Sequence, residues 1–232
     1  MPAEGLGNMA APSASDTVVV VAGGEAIDPT RPPALPAGAV VVAADSGIDQ
    51  AHALGLRVDV AVGDFDSVTA GGLARATEGG ARVDRHPVAK DATDLELALA
   101  AAVALEPRRI HVIGGSGGRF DHLLANALLL AAPALAAVDV TAELGGARLA
   151  VVRHAVQLTG RPGDLLSLLA VHGPATGVTT TGLEFPLDHE TLRAGSSRGV
   201  SNRFATAVAT VALAEGVLLA IQPISSHEEP TS

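Results

Sequence analysis

Unbroken apolar runs, rather than alternating ones, dominate the first part of the chain. TVVVVAG (17–23), AVVVAAD (39–45), VDVAVGD (58–64), RVDRHP (82–87) and RIHVIGG (109–115) predict five strands. Apolar side chains at consecutive positions require burial on both faces, the condition of a strand inside a parallel sheet. Between these runs the pattern predicts helices near 47–55, 69–78, 92–105 and 121–132. The stretch 92–105 is the clearest, with Leu95, Ala98, Leu99, Ala102 and Val103 on one helical face. Strand and helix in alternation predict an α/β fold: an open, mostly parallel sheet with flanking helices and right-handed crossovers.

The pattern changes after ELGGARLA. From about Ala147 only short β-like runs occur: RLAVV, AVQLTG, DLLSLLAV, GVTTTGLEF, ATAVATVAL and GVLLAIQ. Turn signals such as GRPGD and HGPATG separate them, which predicts a small antiparallel β-sandwich or barrel. The expected organisation is a disordered N-terminal tail (1–16), an α/β domain (17–145), an all-β domain (146–223) and a flexible C-terminal tail (224–232). No internal repeat is evident.

Composition narrows the function classes. Of 232 residues, 48% are hydrophobic, enough for one large or two small cores. With four Phe, no Trp and no Tyr, the chain lacks stacking platforms for nucleic acid. A net charge of −10 also disfavours a polyanionic partner. The absence of cysteine removes disulfides, thiolate nucleophiles and thiolate metal sites. No signal peptide and no apolar run of membrane-spanning length is read, so a cytoplasmic protein with no membrane partner is expected.

The charged residues cluster just beyond predicted strands. Asp45 follows the second, Asp64 and Asp66 the third, Lys90, Asp91 and Asp94 the fourth, and Arg119, Asp121 and His122 the fifth. In an open parallel sheet those strand ends share one edge, where ligands bind. Asp64 and Asp66, on an extended segment, would point to one side with Phe65 anchored on the other. Two like charges so placed make sense around a hard cation such as Mg²⁺, which takes carboxylate and phosphate oxygens. Each cluster also has a plainer reading. Asp45 or Asp91 would serve as a helix cap, with Asp94 turned back in a weak capping box. Lys90 would be a solvated lysine, GGSGG a flexible turn, and His122 a first-turn histidine without chemistry.

ADSG, GDFDS, KDATDLELAL, GGSGGRFDH, TTTGLEFPL and GVSNRF occur in an order that resembles the thiamine pyrophosphokinases, from roughly Val18 to Ile221. The resemblance implies a nucleotide-binding α/β domain, a thiamine-binding β-sandwich and a homodimer. It implies Mg²⁺-dependent transfer of a pyrophosphoryl group from ATP to the thiamine hydroxyl, releasing AMP. By it, Asp64, Asp66, Asp94 and Asp121 are catalytic, and Asp64, Asp66 and Asp91 ligate metal. Asp45, Lys90, Asp91, Thr93, Arg119 and His122 meet ATP, and Ser201 and Asn202 meet thiamine across the dimer interface. Ala92 stands where the family commonly has Gln, Arg203 where it often has an acidic or polar residue, and the Trp that some relatives place against thiamine is missing. The rival readings are a pyrophosphokinase acting on a pterin alcohol and a non-catalytic nucleotide-binding relative. In the first reading the transferred group is the same. The proton acceptor is Asp94, Asp121 or water.

Overall fold

The computed structural model describes residues 16–28, 32–88 and 91–224. The tails expected at 1–16 and 224–232 fall, but for Asp16 and Ile224, outside the described residues, as does Lys90. Strands β1 (Thr17–Ala22), β2 (Val40–Ala44), β3 (Val60–Gly63), β4 (Arg82–Arg85), β5 (Arg109–Gly114) and β6 (Asp139–Leu144) are parallel, in the order β6-β5-β1-β2-β3-β4. Helices α1 (Gly47–Ala53) and α2 (Ala70–Glu78) cover one face; α3 (Asp94–Val103) and α4 (Phe120–Leu129) cover the other. Residues of β1 divide by the strand's period of two. Val18 and Val20 pack against α3, whereas Val19 and Val21 pack toward α1. Strand order reverses between β1 and β5, because α3 carries the chain from β4 back across β3, β2 and β1. That reversal opens the crevice in which such sheets take ligands.

β6 was not expected as a strand. Its sequence, DVTAEL, alternates instead of running apolar, because its position beside β5 leaves one face less covered. It turns directly into β7 (Ala147–Val152) through Gly145 and Gly146, both at positive φ (59° and 74°), as a two-residue hairpin requires. The sheet therefore continues across this point. β14 (Leu218–Pro223) pairs with β7, β9 (Leu165–Ala170) with β14, and β12 (Asn202–Arg203) with β9, completing ten strands. A second, antiparallel sheet runs β11-β10-β13-β8, formed by β8 (Ala155–Thr159), β10 (Ala175–Thr181), β11 (Glu190–Leu192) and β13 (Val208–Ala212). It packs on the β7, β9 and β14 part of the first sheet around Val152, Leu166, Leu168, Val178, Phe204, Val211 and Leu218. The C-terminal half is thus a sandwich that shares one layer with the α/β half.

The two halves are also joined away from the sheet. The Arg153 guanidinium donates to the carbonyls of Ala131 (2.9 Å) and Ala132 (3.0 Å), just past the end of α4. The Ala131 carbonyl lies past the last helical turn, where a cation satisfies it and complements the helix dipole, while the Ala132 carbonyl also accepts from the Leu135 amide (3.0 Å).

Candidate active site

Asp45 follows β2 directly and adopts φ 46°, with its carboxylate near the end of β3. It does not cap α1: Ser46 is the N-cap residue, and no side chain fills that role. Asp45 is buried, and its Oδ1 has no hydrogen-bond partner among the described residues. Leaving a buried carboxylate oxygen unpaired is costly unless a cation or donor arrives.

Asp64 and Asp66 follow β3. The segment is not extended, as the sequence pattern had implied, because Phe65 lies at φ 65°. The left-handed residue makes a tight bend in which the Asp66 amide donates to Asp64 Oδ1 (3.1 Å). Phe65 still enters the core beneath, beside Ile48 and Ala51 of α1. The bend brings carboxylate oxygens of Asp45, Asp64 and Asp66 within 4.8 Å of one another. Gly63 leaves the space beside them open. A Cβ there would stand 3.2 Å from Asp94 Oδ1 and 3.3 Å from Asp45 Cβ. Asp94, the first residue of α3, therefore reaches over Gly63 from the opposite face of the sheet.

The remaining predicted residues are placed as follows. Thr93, not Asp91, caps α3, its hydroxyl accepting from the Glu96 amide (3.2 Å). The shorter threonine side chain sits at the position from which an oxygen reaches the third helical amide. Asp91 is exposed and lies outside the three-acid group. Arg119 precedes α4 and donates to both oxygens of Asp121 (3.2 and 2.5 Å). That ion pair holds the Asp121 carboxyl down at about 2. His122 is exposed on the same turn. GGSGG is more ordered than a flexible turn. The Gly115 amide bonds the Gly23 carbonyl (2.9 Å), and Asn126 of α4 donates to the Gly115 carbonyl (2.9 Å).

Ser201 lies in the turn that leads into the short strand β12, which begins at Asn202. Ser201 has φ 61°, and Asn202 with Arg203 forms β12 against β9. The Asn202 side chain is buried and engaged with backbone through both its oxygen and its nitrogen. Its Oδ1 accepts from the amides of Phe185 (3.1 Å) and Arg203 (2.8 Å), and its Nδ2 donates to the Phe185 carbonyl (2.7 Å). It brackets Phe185, whose ring is 61% exposed. In the sequence Phe185 stands within TTTGLEFPL and is not singled out; its exposure emerges only from the structure.

An open α/β sheet with three carboxylates gathered beyond its strand ends presents a hard-oxygen site in the crevice where folds of this class take their ligands. Residues 34–141 match the family model for the thiamin pyrophosphokinase catalytic domain, and residues 153–218 match that for the thiamin pyrophosphokinase vitamin B1 binding domain. The chain belongs to the thiamine pyrophosphokinase family. It is 28% identical over 172 residues to the thiamine pyrophosphokinase of Bacillus subtilis, covering 70% of this chain and 77% of that protein. The crystal structure of a Bacillus subtilis thiamine pyrophosphokinase superposes with TM-score 0.77 at 25% identity, over 90% of this chain and 99% of the other. A Geobacillus thermodenitrificans structure gives 0.72 at 26%, over 90% and 98%. The thiamin pyrophosphokinase from Candida albicans, at 15% identity and TM-score 0.69 over 90% and 89%, shares the fold.

Proposed function

We propose that the chain is an ATP-dependent thiamine diphosphokinase, moving a pyrophosphoryl group from ATP to the thiamine hydroxyl and releasing AMP. Membership of the family through both of its domain models carries this reading. The vitamin B1 model over the sandwich half argues against a pterin substrate, and retention of the acids argues against a non-catalytic relative.

The acid cluster fits a divalent cation. Three carboxylates with one buried oxygen lacking a partner among the described residues make a hard-oxygen donor set suited to Mg²⁺. Asp45, Asp64 and Asp66 would hold it. When bound, it supplies positive charge to the phosphate oxygens of ATP. Asp91, exposed and outside the group, fits a contact with nucleotide better than a ligand role. Arg119, fixed by Asp121, offers a cation at the start of α4 for charge developing on the departing AMP. A carboxyl held near 2 is a weak base at neutral pH, which favours Asp94 over Asp121 as acceptor of the hydroxyl proton. Lys90, Thr93 and His122 remain assigned to ATP through the motif.

Thiamine is assigned to the sandwich half, 146–223. Phe185 provides an exposed apolar face for its rings, Asn202 acts through its bracket on Phe185, and Ser201 is assigned to thiamine through the GVSNRF motif. Within one chain, β12 lies eight strand spacings from β3, about 38 Å along the sheet. Reacting atoms must approach to about 3–3.5 Å. The donor site of one copy and the acceptor site of a second would therefore form one active site, in a homodimer. Phe120, Leu124 and Leu128 support this, as an exposed apolar stripe along α4 beginning beside Arg119. No described helix is long and apolar enough to cross a membrane, which is compatible with a cytoplasmic enzyme.

The deciding experiment incubates the protein with ATP, Mg²⁺ and thiamine and resolves the products. Thiamine diphosphate and AMP in equal amounts are expected. ADP as the nucleotide product, or no turnover with thiamine, would overturn the reading.

A further inference from the structure

We propose that Arg85 is a positioning residue for the acid cluster: it clamps the left-handed Phe65 bend that turns Asp64 and Asp66 toward Asp45. The proposal rests on the reading of that cluster as a cation site. Arg85 ends β4, in register with Gly63 of β3. Its guanidinium lies 4.8 Å from the centroid of the Phe65 ring, and its Nη1 donates to the Asp64 carbonyl at 3.0 Å.

The need for a clamp follows from Phe65 itself. A bulky residue at φ 65° is disfavoured, because its Cβ crowds the backbone, and such a conformation persists only where the surroundings over-determine it. Glycine would adopt it freely, yet the chain has Phe. The ring is pinned from below by the α1 and β-sheet core. From the solvent side Arg85 holds two things at once. It stacks on the ring, and it fixes the Asp64 carbonyl, whose direction sets the peptide plane between Asp64 and Phe65. Rotation of that plane would move both carboxylates. The planar guanidinium suits this double task, since it stacks and donates together.

Electrostatics alone predicts the opposite sign of effect. A guanidinium close to the cluster repels an incoming cation, so removing its charge would tighten cation binding. Removing a clamp would weaken it. Mn²⁺ titrated into the full-length protein without nucleotide, followed by electron paramagnetic resonance, separates the two. Arg85→Met is expected to weaken Mn²⁺ binding about tenfold. It should raise the Mg²⁺ concentration for half-maximal rate by a similar factor, with kcat at saturating Mg²⁺ within about twofold of wild type. Arg85→Lys, which keeps charge and donor but not the plane, should fall between, and it is the variant to use if Arg85→Met does not fold. Unchanged or tighter Mn²⁺ binding in the variants would overturn the clamp. So would a raised ATP KM at saturating Mg²⁺ with Mn²⁺ binding unaltered, since Arg85 would then be a phosphate contact. Wild-type Mn²⁺ binding that survives Asp64→Asn would instead remove the cation-site reading on which the clamp depends.

Discussion

Asp45 and Asn202 sit near opposite ends of one ten-stranded sheet, and both are buried polar residues from motifs with the same family signature. Their surroundings differ. The Asn202 amide engages the backbone of Phe185 and Arg203 through three hydrogen bonds. Asp45 presents an oxygen with no partner among the described residues, facing two further carboxylates. A buried polar group saturated by its own chain is organising structure. One left unsaturated beside like charges is poised for something that arrives from outside. The proposed roles differ accordingly: Asp45 would meet a ligand, and Asn202 would shape the element that does.

Asp64→Asn tests the acid end and carries the largest expected effect. Turnover should fall by about a hundredfold or more, as for loss of a principal electrostatic contact in a transfer site. The melting temperature should hold or rise, because the substitution relieves repulsion among three carboxylates. Calorimetric melting beside steady-state kinetics checks both. A variant that melts earlier and keeps near-normal kcat would make the cluster a structural feature, and the comparison with Asn202 would collapse.

Asn202→Ala should behave in the reverse way. It strands the partly buried Phe185 and Arg203 amides, so stability should fall by about 1 kcal/mol. The thiamine KM should rise with the ATP KM unchanged, because the loosened element is Phe185. Phe185→Ala sharpens the point. The ring is mostly exposed, so stability should stay within about 0.5 kcal/mol while the thiamine KM rises about tenfold. If Asn202→Ala impairs thiamine use and Phe185→Ala does not, Asn202 meets the substrate directly.

The fold was legible where burial is two-sided. The Val-rich runs of β1, β2 and β3 and the apolar face of α3 announce themselves, because parallel strands and a covering helix leave an unbroken hydrophobic record. β6, β11 and β12 left none. β6 alternates, and β11 and β12 have three and two residues, too few for any period. At the site, the sequence marks the sheet edge where the acids lie, since each follows a strand, but it does not separate Asp45, Asp64 and Asp66, which gather, from Asp91, which lies outside the group. It does not mark how they gather. The bend depends on Asp45 and Phe65 adopting positive φ, which side-chain identity does not forecast for residues other than glycine. Nor does it reveal Arg85, one of several charges in a run read as a strand buried on both faces, which the structure places, mostly exposed, at the sheet edge.

The smallest expected effect concerns the proton. Asp121 is ionised in the folded protein well below the usual carboxylate range, because Arg119 bonds both of its oxygens. A depressed carboxyl favours the folded ion pair at all pH above its ordinary value of 3.8, and the benefit fades only as pH falls through about 2. Across about pH 5 to 9 its charge is constant, so it cannot set a limb of the pH–rate profile there. Asp121→Asn should lower kcat modestly, by releasing Arg119, and leave the shape of the pH–rate profile unchanged. Asp94→Asn should cost far more in kcat, as loss of the proposed proton acceptor would. Profiles of kcat and kcat/KM for wild type and both variants check this. A profile reshaped by Asp121→Asn, or a larger loss of kcat there than in Asp94→Asn, would return the proton to the α4 end of the crevice.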